Sequence, residues 1–160
     1  MSSFTLSRRV DAPVDRVFDV FSDIPRAHKM VDQIVRIEML TDGPVGVGTR
    51  WRETRMMFKR EATEEMWVTA FDAGRSYAVG CESCGCTYEC TWRFAPDGDA
   101  TLVEFEMSYR PLTFFAKVMS PLGRVMLPMM KKCFEKDFQA LKAIAEAGEV
   151  SAAADGTALA

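Results

Sequence analysis

An apolar stripe runs along the last long segment of the chain, from about Leu112 to Ala147, and it constrains the fold more than any other feature. Its residues recur at the i, i+3, i+4, i+7 spacing of a helix that is buried along one face. They are Leu122, Val125, Met126, Met129, Met130, Cys133, Phe134, Phe138, Leu141 and Ala145. The stripe is too wide and too long for a helix that lies on a surface. We therefore expect another element to wrap around it.

The part of the chain before this helix consists mainly of short segments with strand character. Seven segments qualify, at residues 4–10, 34–41, 49–57, 62–71, 77–81, 86–94 and 101–109. The connections among the last six are short, so neighbouring strands should pair as hairpins in an antiparallel sheet. Two short helices are predicted after the first strand, one beginning at Ala12-Pro13 and one ending near Met30. The predicted order is β-α-α-β-β-β-β-β-β-α, which is an α+β fold.

Length, charge and composition limit the classes of function. The chain has 160 residues, of which 48% are hydrophobic and 27% charged. This predicts one domain, residues 1–147, and a flexible tail, residues 148–160, that is rich in Ala, Gly and Ser. A net charge of −3 argues against nucleic-acid binding, and the lack of a long apolar run argues against stable membrane insertion. We expect a cytoplasmic protein, either a monomer or a homodimer.

Three motifs carry a resemblance to a known family. They are Asp11-Ala12-Pro13, the sequence Asp-Ile-Pro-Arg-Ala at residues 23–27, and Gly-Val-Gly-Thr-Arg-Trp-Arg-Glu-Thr-Arg at residues 46–55. With the order of elements, over residues 3–147, they resemble the polyketide cyclase/dehydrase-like branch of the START/Bet v 1-like (SRPBCC) superfamily. The resemblance implies a helix-grip fold, in which a seven-stranded antiparallel curved sheet wraps around a long C-terminal helix and leaves a cavity. It implies no universal catalytic residue, so function must be argued from the cavity.

The face of the sheet that each residue occupies can be predicted by pairing the strands. A two-residue turn at residues 59–60 would put Arg55 opposite Glu64. Trp51 belongs on the buried, concave face because its neighbours along the strand are arginines. Alternation then puts Glu53 and Arg55 on the same face as Trp51.

The predicted pocket wall is apolar and aromatic, with one charged cluster. The side chains expected to contact a ligand are Trp51, Glu53, Arg55, Glu64, Met66, Val68, Tyr88, Trp92, Phe105, Met107, Met126, Met130 and Phe134. Enclosed charges must be paired, so we expect Arg55 between Glu53 and Glu64, where it could orient the polar end of a ligand. The best catalytic candidates are Glu53, Arg55, Glu64 and Tyr88, with a glutamate as general acid or base. A purely structural ion-pair network is the alternative.

The cysteines near the second hairpin are the one candidate for a metal site. A turn at residues 83–84 would put Cys81 opposite Cys86, a pair that oxidation could join. A zinc site would need Cys84 and Cys90 as ligands in addition to Cys81 and Cys86. However, Cys86 and Cys90 lie about 13 Å apart along one strand, which is too far for one tetrahedral centre. We expect reduced thiols, no metal and no cofactor, and we leave open whether Cys81 and Cys86 ever pair.

Three functions fit this pattern. The first is binding of a hydrophobic or amphipathic small molecule, such as a lipid, a polyketide or a polycyclic aromatic compound, between sheet and helix. The second is a polyketide cyclase or dehydratase-type enzyme in which a cavity Glu or Tyr88 moves protons. The third is a module that binds a protein partner and has a collapsed cavity.

Overall fold

Seven antiparallel strands form one curved sheet that wraps around the C-terminal helix. The structure is a computed structural model and describes residues 2–57, 59–83, 85–114, 117 and 120–148, with the backbone alone at residues 2 and 120–126. The strands are β1 (Ser2–Val10), β2 (Ile34–Met39), β3 (Arg50–Met57), β4 (Arg60–Asp72), β5 (Ser76–Ser83), β6 (Cys86–Asp97) and β7 (Ala100–Pro111). The helices are α1 (Val14–Phe21), α2 (Ala27–Met30) and α3 (Ser120–Ala147), with a short 3-10 helix, Ile24–Arg26, before α2.

The order of the strands in the sheet is β1-β7-β6-β5-β4-β3-β2. Consecutive strands from β2 to β7 are neighbours, as the short connections predicted. β1 lies at one edge and pairs with β7, while β2 lies at the other edge and pairs with β3. The predicted helix-grip fold, with its seven-stranded antiparallel sheet, its two short helices after β1 and its long C-terminal helix, is confirmed.

The hydrophobic core is densest where α1 and the C-terminal half of α3 meet the sheet. Phe18 and Phe21 of α1 pack edge-on against Phe94 of β6, with ring centroids 5.3 and 5.8 Å apart. Phe138 of α3, which is fully buried, packs against Phe21 at 5.4 Å. Tyr77 of β5 donates a 2.6 Å hydrogen bond to the backbone oxygen of Phe21, which fixes α1 on the sheet.

The predicted register of the hairpin between β3 and β4 is wrong by two residues. Met57 pairs with Arg60, so the turn lies one residue earlier than predicted. As a result, Glu64 pairs with Glu53 and not with Arg55. A shift of two residues keeps every side chain on its predicted face, because strand residues alternate with a period of two. The side chains predicted to lie on the concave face therefore do lie there, although the predicted register is wrong.

The hairpin between β5 and β6 shows the same two-residue error. Ser83 pairs with Cys86, and the turn contains Gly85 at a φ of 72°, a left-handed conformation that favours glycine. Cys81 therefore pairs with Tyr88, and its predicted position opposite Cys86 is wrong. Both cysteines are free thiols.

The long helix agrees with the predicted stripe in its C-terminal half. Phe138 and Ala145 are fully buried, but Met129 is 48% exposed and does not belong to the buried face. The side chains of Leu122, Val125 and Met126 lie outside the described residues, as does the predicted tail from residue 149 onward. Within the described part of the chain, no helix combines the length and apolar character needed to cross a membrane. The cytoplasmic location and the oligomeric state stay predictions.

Candidate ligand-binding cavity

A cavity of about 360 Å³ lies between the concave face of the sheet and α3. Most of the side chains predicted to contact a ligand line it. They are Trp51, Glu53, Arg55, Glu64, Met66, Tyr88, Trp92, Phe105, Met107, Met130 and Phe134. Val68 is buried in the core but is not among the lining residues, so its predicted contact with a ligand is wrong. The side chain of Met126 lies outside the described residues.

A second group of lining residues was not among the predicted ligand contacts. These residues lie on or beside the short helices, on the sheet and on α3. They are Val20, Phe21, Asp23, Ile24, Ala27, Met30, Val31, Ile34, Met57, Ala62, Tyr77, Val79, Cys81, Ser83, Cys90, Tyr109, Leu127, Cys133, Asp137 and Leu141. Many of them lie on the faces predicted to be buried. Strand alternation predicts which residues are buried. It does not predict which of the buried residues border a cavity.

Arg55 is the centre of the charged cluster on the cavity wall. Its Nε donates a 2.6 Å hydrogen bond to Glu53 Oε1, and its Nη1 lies 2.7 Å from Asp137 Oδ2 on α3. Its guanidinium carbon lies 5.7 Å from the centre of the Phe134 ring. The prediction that Arg55 lies between Glu53 and Glu64 is therefore wrong, because Asp137 takes the place of Glu64. The cluster ties the helix to the sheet across the cavity.

Burial and mutual attraction together set the charge state of this cluster. The side chains of Arg55, Glu53 and Asp137 are only 18%, 12% and 6% exposed. Burial lowers the pKa of Arg55, but the attraction of Glu53 and Asp137 outweighs it and raises that pKa above the ordinary value. Burial raises the pKa of Asp137, and the attraction of Arg55 offsets this rise only in part.

Asp137 is the functional candidate that the sequence analysis overlooked. It lies three residues after Phe134 and four before Leu141, so it falls on the stripe that faces the sheet. A single acidic residue on a buried stripe costs free energy unless it is paired. The position of Asp137 in the apolar stripe is therefore the feature of the sequence that could have identified it. Among the described residues, neither carboxylate oxygen of Asp137 meets the geometry of a hydrogen bond, although Oδ2 forms the short ion pair with Arg55.

Glu64 lies on the same wall, directly across from Glu53. Its Oε2 is 3.4 Å from the Sγ of Cys81, which donates a weak hydrogen bond. Burial raises the pKa of the Cys81 thiol, so it keeps its proton and acts as the donor. The β4 residue that pairs with Cys81 is Met66, and the same row of paired residues continues through Tyr88 on β6 to Tyr109 on β7.

Two tyrosines form the aromatic part of that row. The rings of Tyr88 and Tyr109 are stacked, with centroids 6.2 Å apart and an interplanar angle of 29°. The hydroxyl of Tyr109 is buried and has no hydrogen-bond partner in the described part of the chain. Buried hydroxyls in proteins are normally paired, so this one is an exception among the described residues.

The thiols on the wall favour a structural role over metal binding. Burial raises the pKa of Cys90 to about 12, which keeps it protonated at neutral pH. Among the described side chains, no three His, Cys, Asp or Glu residues converge as a metal centre requires. Cys84, which belonged to the zinc alternative, lies outside the described residues.

Solved structures with the same fold support the architecture. TTHA0849 from Thermus thermophilus is 20% identical, with a TM-score of 0.73 over 92% of this chain and 99% of that chain. Norcoclaurine synthase from Thalictrum flavum is 19% identical, with a TM-score of 0.63 over 89% and 85%. The di-domain ARO/CYC StfQ from the steffimycin biosynthetic pathway is 12% identical, with a TM-score of 0.74 over 91% of this chain and 50% of that chain. At these identities the likeness shows the fold alone.

Sequence comparisons identify the family. A search of curated proteins gives no match. The family model described as "Polyketide cyclase / dehydrase and lipid transport" matches residues 1–146, which is nearly the whole chain. The chain therefore belongs to the polyketide cyclase / dehydrase and lipid transport family.

Proposed function

We propose that the protein binds a hydrophobic or amphipathic small molecule, such as a lipid, a polyketide or a polycyclic aromatic compound, in the cavity between the sheet and α3. The observation that carries this proposal is an apolar space of about 360 Å³ with a few polar groups on its wall. Volume and lining are both typical of small-molecule sites. The family description, which includes lipid transport, supports the same class of function.

The polar groups on the wall are suited to orienting a ligand. Glu53 and Asp137 hold Arg55 from two sides, so its position is fixed before a ligand enters. Met66, Met107 and Met130 on the apolar wall can adapt to ligands of different shape. The open cavity is the opposite of the collapsed interior that the hypothesis of a protein-interaction module requires.

A matched pair of variants tests this proposal. Ala62 lines the cavity, whereas Glu61, its neighbour on β4, is exposed. We expect Ala62→Trp to fill the cavity and Glu61→Trp to leave it open. Native mass spectrometry of the freshly purified protein should find a co-purified small molecule in the parent and in Glu61→Trp but not in Ala62→Trp.

Thermal stabilisation by added apolar compounds should follow the same pattern and grow with their concentration. Equal stabilisation of both variants would place binding outside the cavity. The absence of both a co-purified molecule and any stabilisation in the parent would overturn the proposal.

An enzyme of the cyclase or dehydratase type is the second candidate. The observation that favours it is Asp137, a buried acid with a raised pKa beside a fixed guanidinium on the cavity wall. Glu53, Glu64 and Tyr88 line the same space and could also transfer protons. An enzyme would release a changed product, and Asp137→Asn would abolish turnover while leaving ligand binding intact. A binding protein would return its ligand unchanged.

A further inference from the structure

The charges on the cavity wall are unbalanced, and this imbalance has a consequence for the ligand. Three carboxylates, Glu53, Glu64 and Asp137, face one guanidinium, that of Arg55. Asp23 also reaches the wall, but its carboxylate lies 2.6 Å from the Nε of Arg26 outside the cavity. Among the described side chains on the wall, Arg55 is the one cation.

Arg55 is already engaged by two of these carboxylates. Its Nε and Nη1 lie 2.6 and 2.7 Å from oxygens of Glu53 and Asp137. Burial raises the pKa of Asp137, and even with Asp137 protonated the two glutamates outnumber the guanidinium. A carboxylate ligand would therefore have to displace an existing partner of Arg55 and approach a wall with excess negative charge. Inside an apolar cavity such repulsion is only weakly screened.

Glu64 is the carboxylate that Arg55 does not neutralise. It lies opposite Glu53, and its hydrogen-bond donor is the weakly polar thiol of Cys81. Cys81 pairs with Tyr88, and Tyr88 pairs with Tyr109, so the stacked rings lie on the same cavity wall as Glu64, on β6 and β7. A carboxylate on a cavity wall that also carries aromatic faces is a combination that attracts an organic cation, through charge pairing and through the negative faces of the rings.

We infer that Glu64 binds the ammonium end of an amine whose apolar body occupies the rest of the cavity, on the wall that Tyr88 and Tyr109 also line. This inference rests on the proposed function and specifies the class of ligand. It predicts that a protonated amine binds more tightly than an alcohol with the same body, and that a carboxylate binds most weakly.

Two series of compounds with constant bodies test the inference. One is 2-naphthylmethylamine, 2-naphthylmethanol and 2-naphthoate, and the other is decylamine, decanol and decanoate. Binding is measured by isothermal titration at neutral pH and low salt. We expect each amine to bind at least about tenfold more tightly than the matching carboxylate, which is the size of one partly desolvated charge pair.

Glu64→Gln should remove most of that difference by weakening the amine and strengthening the carboxylate, with little change for the alcohol. Glu65→Gln is the matched control, because Glu65 follows Glu64 on β4 and is paired with Arg50 at the exposed surface. It should keep the order of the parent.

The outcomes separate the two proposals. If a carboxylate binds as tightly as its amine, or if Glu64→Gln and Glu65→Gln behave alike, the inference is overturned while cavity binding stands. If none of the six compounds binds to the parent or competes with a co-purified molecule, both proposals fail. Amine binding that Ala62→Trp does not reduce would place the amine outside the cavity and would also overturn the inference.

Discussion

The two ends of the concave face have the same alternating strands but opposite packing. At the closed end, Phe18, Phe21 and Phe138 fill the space above the sheet with rings in edge-on contact. At the open end, Glu53 and Arg55 face a cavity of about 360 Å³. The difference comes from the helices, because α1 supplies Phe18 and Phe21, and α3 supplies Phe138, to the closed end. The packing that stabilises the fold is therefore concentrated at the closed end, and the polar groups that could contact a ligand lie at the open end.

The sharpest test of this comparison is a pair of phenylalanines one turn apart on α3. Phe138 is fully buried among Phe21 and Trp92, whereas Phe134 borders the cavity. We expect Phe138→Ala to lower the free energy of unfolding by about 3–5 kcal/mol, because it leaves a void in a packed core. Phe134→Ala should cost less than half as much, since that ring already faces empty space. Urea denaturation measures both values, and equal losses would contradict the division into two ends.

Removing the cation at the open end should have the next largest effect. Arg55→Met keeps an unbranched apolar stem but removes the guanidinium, which leaves Glu53 and Asp137 without their partner. We expect a loss of about 2–3 kcal/mol, at the low end for a broken buried pair because the cavity admits some water. The double variant Arg55→Met/Asp137→Leu should recover part of the loss. If urea denaturation shows the double variant to be less stable than Arg55→Met, the loss in Arg55→Met does not come from the unpaired carboxylates.

The pH dependence of stability tests the state of Asp137. Burial raises its pKa in the folded protein above the unfolded value of about 3.9. The folded state therefore holds this proton more tightly, and the free energy of unfolding falls as pH rises from the unfolded pKa through the folded one. Asp137→Asn lacks this titration.

Relative to the parent, Asp137→Asn should gain about 1.4 kcal/mol for each unit by which the folded pKa exceeds the unfolded one. Denaturation curves from pH 4 to pH 7 measure this difference. Asp19→Asn, at an exposed position on α1, is the control and should follow the parent. Parallel curves for the parent and Asp137→Asn would contradict the raised pKa.

Two tyrosine hydroxyls give the smallest and most specific contrast. The hydroxyl of Tyr77, at the closed end, donates a 2.6 Å hydrogen bond to the backbone of Phe21. That of Tyr109, at the open end, has no partner in the described part of the chain. We expect Tyr77→Phe to cost about 1 kcal/mol and Tyr109→Phe to be neutral or slightly stabilising without ligand. A loss for Tyr109→Phe equal to that for Tyr77→Phe would show that its hydroxyl is satisfied in solution.

The sequence allowed the architecture and the faces of the strands to be predicted, but not the register of either tested hairpin. Strand alternation has a period of two, so an error of two residues leaves the faces of Glu53, Arg55 and Glu64 unchanged. It changes their partners, which is why Arg55 was paired with Glu64 and Cys81 with Cys86. A turn that requires Gly85 at a positive φ identifies the register more reliably than the polarity of the turn residues.

The candidate site was predicted only in part because it spans distant segments. Asp137 reaches Arg55 across more than eighty residues of sequence, and periodicity does not report such contacts. Periodicity can also predict burial where there is none. Met129 matches the spacing of the apolar stripe but is exposed. The emptiness of the cavity is a property of the assembled fold, which no single segment encodes.

The placement of the first strand at the edge of the sheet has a consequence for how the chain acquires its structure. β1 has a single neighbour in the sheet, β7, and Phe4 pairs with Met107. During synthesis on a ribosome, the hairpins from β2 to β6 can form as they emerge, but β1 must wait until most of the polypeptide has been made. Because closing such a long loop is slow, nascent chains that stop before residue 100 carry an unpaired edge that invites association with other chains.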